Sequence, residues 1–165
     1  MTENLLSIVV PVFNEASTIR QVVASIMEVK IPLRKEILVV DDGSSDGTRG
    51  TLNELAETFA ELVVLVHPVN RGKGAAIRTA LAHATGDVVI IQDADLEYDP
   101  RLYPQLLAPI LDGKSDVVYR ITFRWQRASS CFVFLALHGE QVFDASIEHA
   151  DKLKSHRHGG WVQGF

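Results

Sequence analysis

At 165 residues, 47% hydrophobic and 22% charged, the chain has the size and balance of a single globular domain with a real core. Its net charge of −5 argues against non-specific nucleic-acid binding, which needs a basic face. The lone cysteine, Cys131, excludes an internal disulfide framework and fits a reducing compartment. Neither a signal peptide nor a bilayer-long apolar run is legible, so the expected location is cytoplasmic.

Leu5 to Val12 (LLSIVVPV) reads as a strand buried on both faces, and Phe13-Asn14-Glu15 is its polar exit. Ile19, Val22, Val23, Ile26 and Met27 recur at three- and four-residue spacing, which predicts a helix closed by Ile31-Pro32. Glu36 to Val40 is a second strand, again ending in acids, Asp41 and Asp42. The turn Gly43 to Gly47 follows, with Ser45 or Asp46 placed to cap a helix from Thr48 to Phe59. Leu62 to His67 is the third strand, Pro68 to Gly74 a loop, and Gly74 to His83 an alanine-rich helix.

Val88 to Ile91 is the fourth strand, and it runs straight into Gln92-Asp93-Ala94-Asp95, with Glu97 and Asp99 close behind. Pro100 to Leu111 predicts a further helix, and Asp116 to Tyr119 opens a fifth strand. Strands alternating with amphipathic helices predict an α/β fold, a doubly wound, mostly parallel sheet with helices on both faces. Strands one, two and four each end in carboxylates, and in such a sheet those ends share one edge. Ligands bind at that edge. Oxygen-only ligands such as Asp93 and Asp95 suit a hard divalent cation, Mg²⁺ or Mn²⁺, carrying nucleotide phosphates. A dinucleotide site is disfavoured because no G-x-G-x-x-G follows the first strand. A P-loop is disfavoured because Gly72-Lys73-Gly74 lacks the spacing and the hydroxyl.

Four segments carry a resemblance: Val10-Pro11-Val12-Phe13-Asn14-Glu15; Val39 to Thr48 (VVDDGSSDGT); Asn70-Arg71-Gly72-Lys73-Gly74; and Asp93-Ala94-Asp95. Together, over residues 5–119, they resemble a family 2 glycosyltransferase of the GT-A fold. The branch is similar to dolichol-phosphate mannose or glucose synthases and their bacterial relatives. The resemblance implies a metal-dependent, inverting hexosyltransferase. It would move a sugar from a UDP- or GDP-linked donor to a polyprenyl (dolichyl or undecaprenyl) phosphate at the inner face of a membrane. It places Pro11, Phe13, Glu15, Val40 and Asp42 on the base and ribose. Asp93, Ala94 and Asp95 fall at the diphosphate, with Asp93 and Asp95 as the catalytic pair. The metal ligands would be Asp93, Asp95 and Glu97. Two alternatives stay open, a transferase of cell-wall or polysaccharide glycans and a non-catalytic nucleotide-sugar-binding remnant.

Plainer roles compete at several positions. Phe13 is equally suited to packing under the sheet. Arg71 and Lys73 read as solvated loop charges, Asp46 and Asp99 as helix caps, and His67 and His83 as isolated residues.

From Arg120 the chain changes character. Both tryptophans (Trp125 and Trp161), the cysteine and four of the six histidines fall there, and no proline does. Where the family continues Gly-Ser-Arg-Phe, this chain has Arg120-Ile121-Thr122-Phe123. Read one base later with free choice of synonymous codons, those four residues spell Gly-Ser-Arg-Phe. Leu137 to Phe165 then spell SMGNKFLTLLSNMLTNLNLTDMEVGFKV. The expected organisation is therefore a nucleotide-sugar-binding domain over 1–119 and an aberrant, frameshift-derived tail over 120–165, with the acceptor half missing and catalysis impaired. The rival reading is a short variant with tail helices at Phe132 to Phe143 and Ile147 to Lys154.

Overall fold

In the computed structural model, which describes residues 4–96, 98–115, 117–121 and 131–136, the first strand is β1 (Leu5–Val12). Then come α1 (Ile19–Glu28), β2 (Arg34–Asp42), α2 (Thr48–Thr58), β3 (Leu62–His67), α3 (Lys73–Leu81) and β4 (Val88–Ile91). A 3₁₀ turn, Pro100–Leu102, leads into α4 (Tyr103–Leu111), followed by β5 (Val117–Ile121) and β6 (Cys131–Ala136). Every element read from the sequence up to residue 119 is present. β2 extends to both sides of its apolar stretch, because its polar ends still have a ladder partner in β1, from Leu5↔Arg34 to Val12↔Asp41.

The sheet order is β3-β2-β1-β4-β6-β5. β1 pairs in parallel with both β2 and β4, and β2 with β3. Because successive strand residues point to opposite faces, β1 feeds two cores. Leu6, Ile8, Val10 and Val12 face a large cluster under α1, α2 and α4, while Val9 faces a smaller one under α3. The two faces are covered unequally. The large cluster takes Ile19, Val22, Val23 and Ile26 of α1, Leu52 and Leu55 of α2, and Tyr103, Leu106 and Leu107 of α4. The other rests on Ala76, Ala80 and Leu81 of one helix against Val9, Leu38, Val40 and Val89. Each fully buried aliphatic side chain contributes about 1.5–3 kcal/mol, so most of the stabilisation lies on the three-helix face.

The fifth strand is not the neighbour of the fourth, as uninterrupted β-α alternation predicts. β6 lies between them, antiparallel to both. β5 and β6 pair antiparallel, an arrangement that parallel β-α alternation does not produce, so the pattern that predicted the first four strands carries no signal here. Residues 132–136, assigned to a tail helix in the rival reading, are extended as part of β6. The rest of both tail helices lies outside the described residues. Among the described residues, no helix is long and apolar enough to cross a membrane.

Candidate functional site at the carboxyl edge of the sheet

The chain leaves β1 towards β2 on one side, and β4 returns on the other. The carboxyl ends of β1 and β4 therefore flank the point where strand order reverses, the place where an open α/β sheet leaves a crevice. The loops after β1, β2, β3 and β4 surround it, and they are tied to one another by side chains.

The loops after β1 and β2 are zipped together. Asn14, at φ 56°, accepts from the Ser45 amide through Oδ1 (2.9 Å), and its own amide donates to Ser44 Oγ (2.9 Å). The Glu15 amide donates to the buried Thr48 hydroxyl (2.9 Å). Asp46 accepts from the Ala16 amide (3.1 Å), the Thr48 amide (3.0 Å) and the Thr48 hydroxyl (2.5 Å). Those hydrogen bonds, the Thr48 hydroxyl first, hold the Asp46 carboxyl below the usual carboxylate range. Asp46 thus does more than cap α2. It clamps the exit of β1 to the start of that helix. Asp99 is the cap expected of it, accepting from the Arg101 amide (2.9 Å).

The two acids at the end of β2 are both buried, and both are committed inside the chain. Asp41 accepts from the Ser44 amide (2.9 Å) and from Arg49 Nε (2.9 Å). Asp42 accepts from His67 Nδ1 (2.6 Å), from the Arg71 amide (3.0 and 3.1 Å) and from the Gly72 amide (2.7 Å). Burial opposes ionisation of Asp42, but these donors outweigh it and its pKa is lowered. An ionised carboxylate accepts only, so Nδ1 of His67 donates to it, and Nε2 pairs with the Thr79 hydroxyl on α3 (2.9 Å). His67 is therefore not isolated, which corrects the sequence expectation. The register Asp42↔His67 places the two residues opposite each other on neighbouring strands. That pairing was the one signal able to reveal the contact.

Asp42 in turn shapes the loop after β3. It fixes Gly72 at φ 87°, ψ 155°, a conformation open essentially to glycine alone. Gly43, at φ 77°, lies so close to this loop that a Cβ there would sit 2.6 Å from the Asn70 amide nitrogen. The loops after β2 and β3 touch backbone to backbone.

Beyond β4, the Gln92 amide donates to Val9 O (2.9 Å), which extends the β1–β4 ladder by one residue. The Gln92 side chain is fully buried. Its Nε2 donates to Asp93 O (3.0 Å) and Tyr98 O (3.2 Å), and its Oε1 accepts from the buried Tyr103 hydroxyl (2.9 Å). Burial pushes the Tyr103 phenol well above its ordinary pKa, so it stays a donor. Gln92 and Tyr103, read from the sequence only as a strand exit and a helix residue, form the frame of the Asp93-Ala94-Asp95 turn. Leu96, at φ 61°, closes that turn.

Of the expected site residues, Asp93 is partly buried, Ala94 buried and Asp95 exposed. Glu97 lies outside the described residues. Phe13 is 47% exposed, so it does not pack under the sheet and its ring is open to a ligand. Pro11 and Glu15 are half-buried, and Glu15 accepts from the Thr18 hydroxyl (2.6 Å). Val40 faces the α3 cluster. Lys73 is not a solvated loop charge: its ammonium lies 2.5 Å from Asp93 Oδ1. Among the described residues no three His, Cys, Asp or Glu side chains gather to hold an ion. The carboxylates of Asp93 and Asp95 are a donor set that fits a divalent cation bringing further oxygens on a diphosphate.

The chain matches the family described as "Glycosyl transferase family 2" over residues 7–130. It is 38% identical over 131 residues to an undecaprenyl-phosphate 4-deoxy-4-formamido-L-arabinose transferase of Klebsiella pneumoniae, covering 77% of this chain and 39% of that one. The chain thus spans well under half the length of this curated relative. Among solved structures it is similar to the mannosyltransferase PcManGT from Pyrobaculum calidifontis in complex with GDP-Man and Mn²⁺. The TM-score is 0.64 at 33% identity, over 75% of this chain and 36% of that one. It is also similar to S. aureus TarS 1–349 in complex with UDP, with TM-score 0.64 and 26% identity over 76% and 38% of the two chains.

Proposed function

The chain belongs to glycosyl transferase family 2 and has its GT-A fold, and from that premise we propose the following reaction. A hexosyl group moves from a UDP- or GDP-linked donor to a polyprenyl phosphate. The observation that supports the donor half is the Lys73–Asp93 ion pair, which joins the Asp42-braced loop to the turn after β4 at the sheet edge where β1 ends in the exposed Phe13. The acceptor class is supported by the undecaprenyl-phosphate relative.

In this reading Pro11 and Phe13 wall the base, and Glu15, Val40 and Asp42 shape its pocket. Asp42 contributes mostly by holding the 68–74 loop, since three donors already occupy its oxygens. Asp93 and Asp95, with Glu97, are the residues that would hold Mg²⁺ or Mn²⁺. The ion supplies charge stabilisation for the departing diphosphate. An oxygen of the acceptor phosphate attacks the anomeric carbon. The bond from that carbon to the donor's diphosphate oxygen breaks, the nucleoside diphosphate leaves with the electron pair, and the configuration inverts. The acceptor oxygen is already anionic, so no strong general base is required of the chain.

Residues 1–119 are the nucleotide-sugar unit in this proposal, and residues 120–165 are the product of a reading frame shifted by one base. The support is the Gly-Ser-Arg-Phe text hidden in Arg120 to Phe123 and its continuation under Leu137 to Phe165. Such a tail brings no selected acceptor groups, so this chain binds the donor without efficient turnover.

Calorimetric titration with UDP and GDP, with and without Mn²⁺, tests the donor site. Binding that needs the ion and disappears in Asp93→Ala/Asp95→Ala is expected, and it also identifies the base. No binding of either nucleotide by the folded protein would sink the reading. Removing one base near codon 119 tests the tail, with transfer to undecaprenyl phosphate expected only from the restored chain.

A further inference from the structure

We propose that Lys73 is a placeholder cation for the metal position at Asp93. Its ammonium neutralises that carboxylate until the divalent ion arrives and is displaced by it. The inference rests on the metal reading above. The ammonium is 2.5 Å from Asp93 Oδ1, with the lysine side chain 48% exposed and the Asp93 side chain 16% exposed. Asp93 is held in place by its neighbour Gln92, which is fully buried and bonded on both sides.

Helix stability gives no reason for a lysine at this position. Lys73 is the first residue of α3, where a positive charge opposes the helix dipole, and the first turn holds no acid to offset it. The chain nevertheless delivers it there through Gly72, whose glycine-only backbone is secured by Asp42. A half-exposed ion pair is weak, so a divalent ion can replace it. The ammonium keeps the carboxylate compensated meanwhile, and it raises the concentration of free ion needed to load the site.

The test is Mn²⁺ binding to the full-length protein without nucleotide, read by loss of the free-ion electron paramagnetic resonance signal. Removing the competing charge in Lys73→Met should tighten Mn²⁺ binding by about two- to fivefold, the range expected for a half-exposed pair. Lys73→Arg should stay near wild type, and Asp93→Asn should abolish the site in either background. Binding that appears only in Lys73→Met also supports the placeholder. Equal or weaker binding by Lys73→Met overturns it, as does no binding by either form when the wild type does bind Mn²⁺ with UDP or GDP. Absence of Mn²⁺ binding in every form even with nucleotide overturns the metal reading and the placeholder with it.

Discussion

His67→Ala probes the joint between the sheet and the site loops. The wild-type ring is 4% exposed and bridges Asp42 at 2.6 Å to Thr79 at 2.9 Å. A hydrogen bond to a buried carboxylate contributes about 1.5–3 kcal/mol, and the bond to Thr79 about 0.5–1.5 kcal/mol, partly regained from water because Thr79 is half-buried. The expected loss is about 2–4 kcal/mol, or roughly 5–15 °C in Tm for a chain of this length. Urea titrations of wild type, His67→Ala, Asp42→Asn and the double variant measure it, with an expected coupling of about 1.5–3 kcal/mol. The pH dependence has a defined sign. Asp42 is held below its ordinary value of 3.8. Its contribution is therefore complete above the unfolded-state pKa and is lost as pH falls through the lower folded-state value. Asp42→Asn removes that acid-side component. His67→Ala within about 0.5 kcal/mol of wild type, or strict additivity with Asp42→Asn, would refute the reasoning.

Tyr103→Phe leaves Gln92 Oε1 buried without its donor, which should cost about 1–3 kcal/mol in urea. It should also weaken metal-dependent nucleotide binding by loosening the Asp93 turn, while Tyr103→Phe at unchanged stability contradicts the frame assigned to Gln92. Gly43→Ala must both adopt φ 77° and place a Cβ 2.6 Å from the Asn70 nitrogen. We expect a loss of about 2 kcal/mol or more and a matching loss of nucleotide affinity by calorimetry. A wild-type Tm for Gly43→Ala shows that the two loops can part.

The elements were legible because each carries its own pattern. The first four strands are strongly apolar, and the helices between them carry apolar stripes, so local sequence determines their type, while the extent of β2 is set by its ladder with β1. The acidic strand ends were legible for a related reason: a carboxylate terminates a buried strand only where something polar receives it. What those acids do was not legible. Asp41 and Asp42 read alike, yet Asp41 pairs with Arg49 on the helix that follows, while Asp42 pairs with His67, a contact set by which strand lies alongside and in what register. The same limit hid the Lys73–Asp93 pair, 20 positions apart (93 − 73) and joined across the sheet edge because β3 and β4, which flank α3, have β2 and β1 between them. It also hid the place of β6, since its position in the sheet is set by pairing with β4 and β5 rather than by its own composition.

The central position of β1 has a kinetic consequence. Its neighbour β2 follows closely, but its other neighbour is paired as Leu6↔Val88, a separation of 82 positions (88 − 6). During synthesis, β1, β2 and β3 can collapse on α1 and α2 while β4 is still inside the ribosome. For that interval one edge of β1, among the most apolar strands of the chain, offers unpaired amides and carbonyls to any other strand. Closing so large a loop is slow relative to local pairing. The crevice between β1 and β4 is thus assembled only after the β3-β2-β1 half of the sheet, and until then the open edge of β1 leaves the nascent chain prone to misassociate.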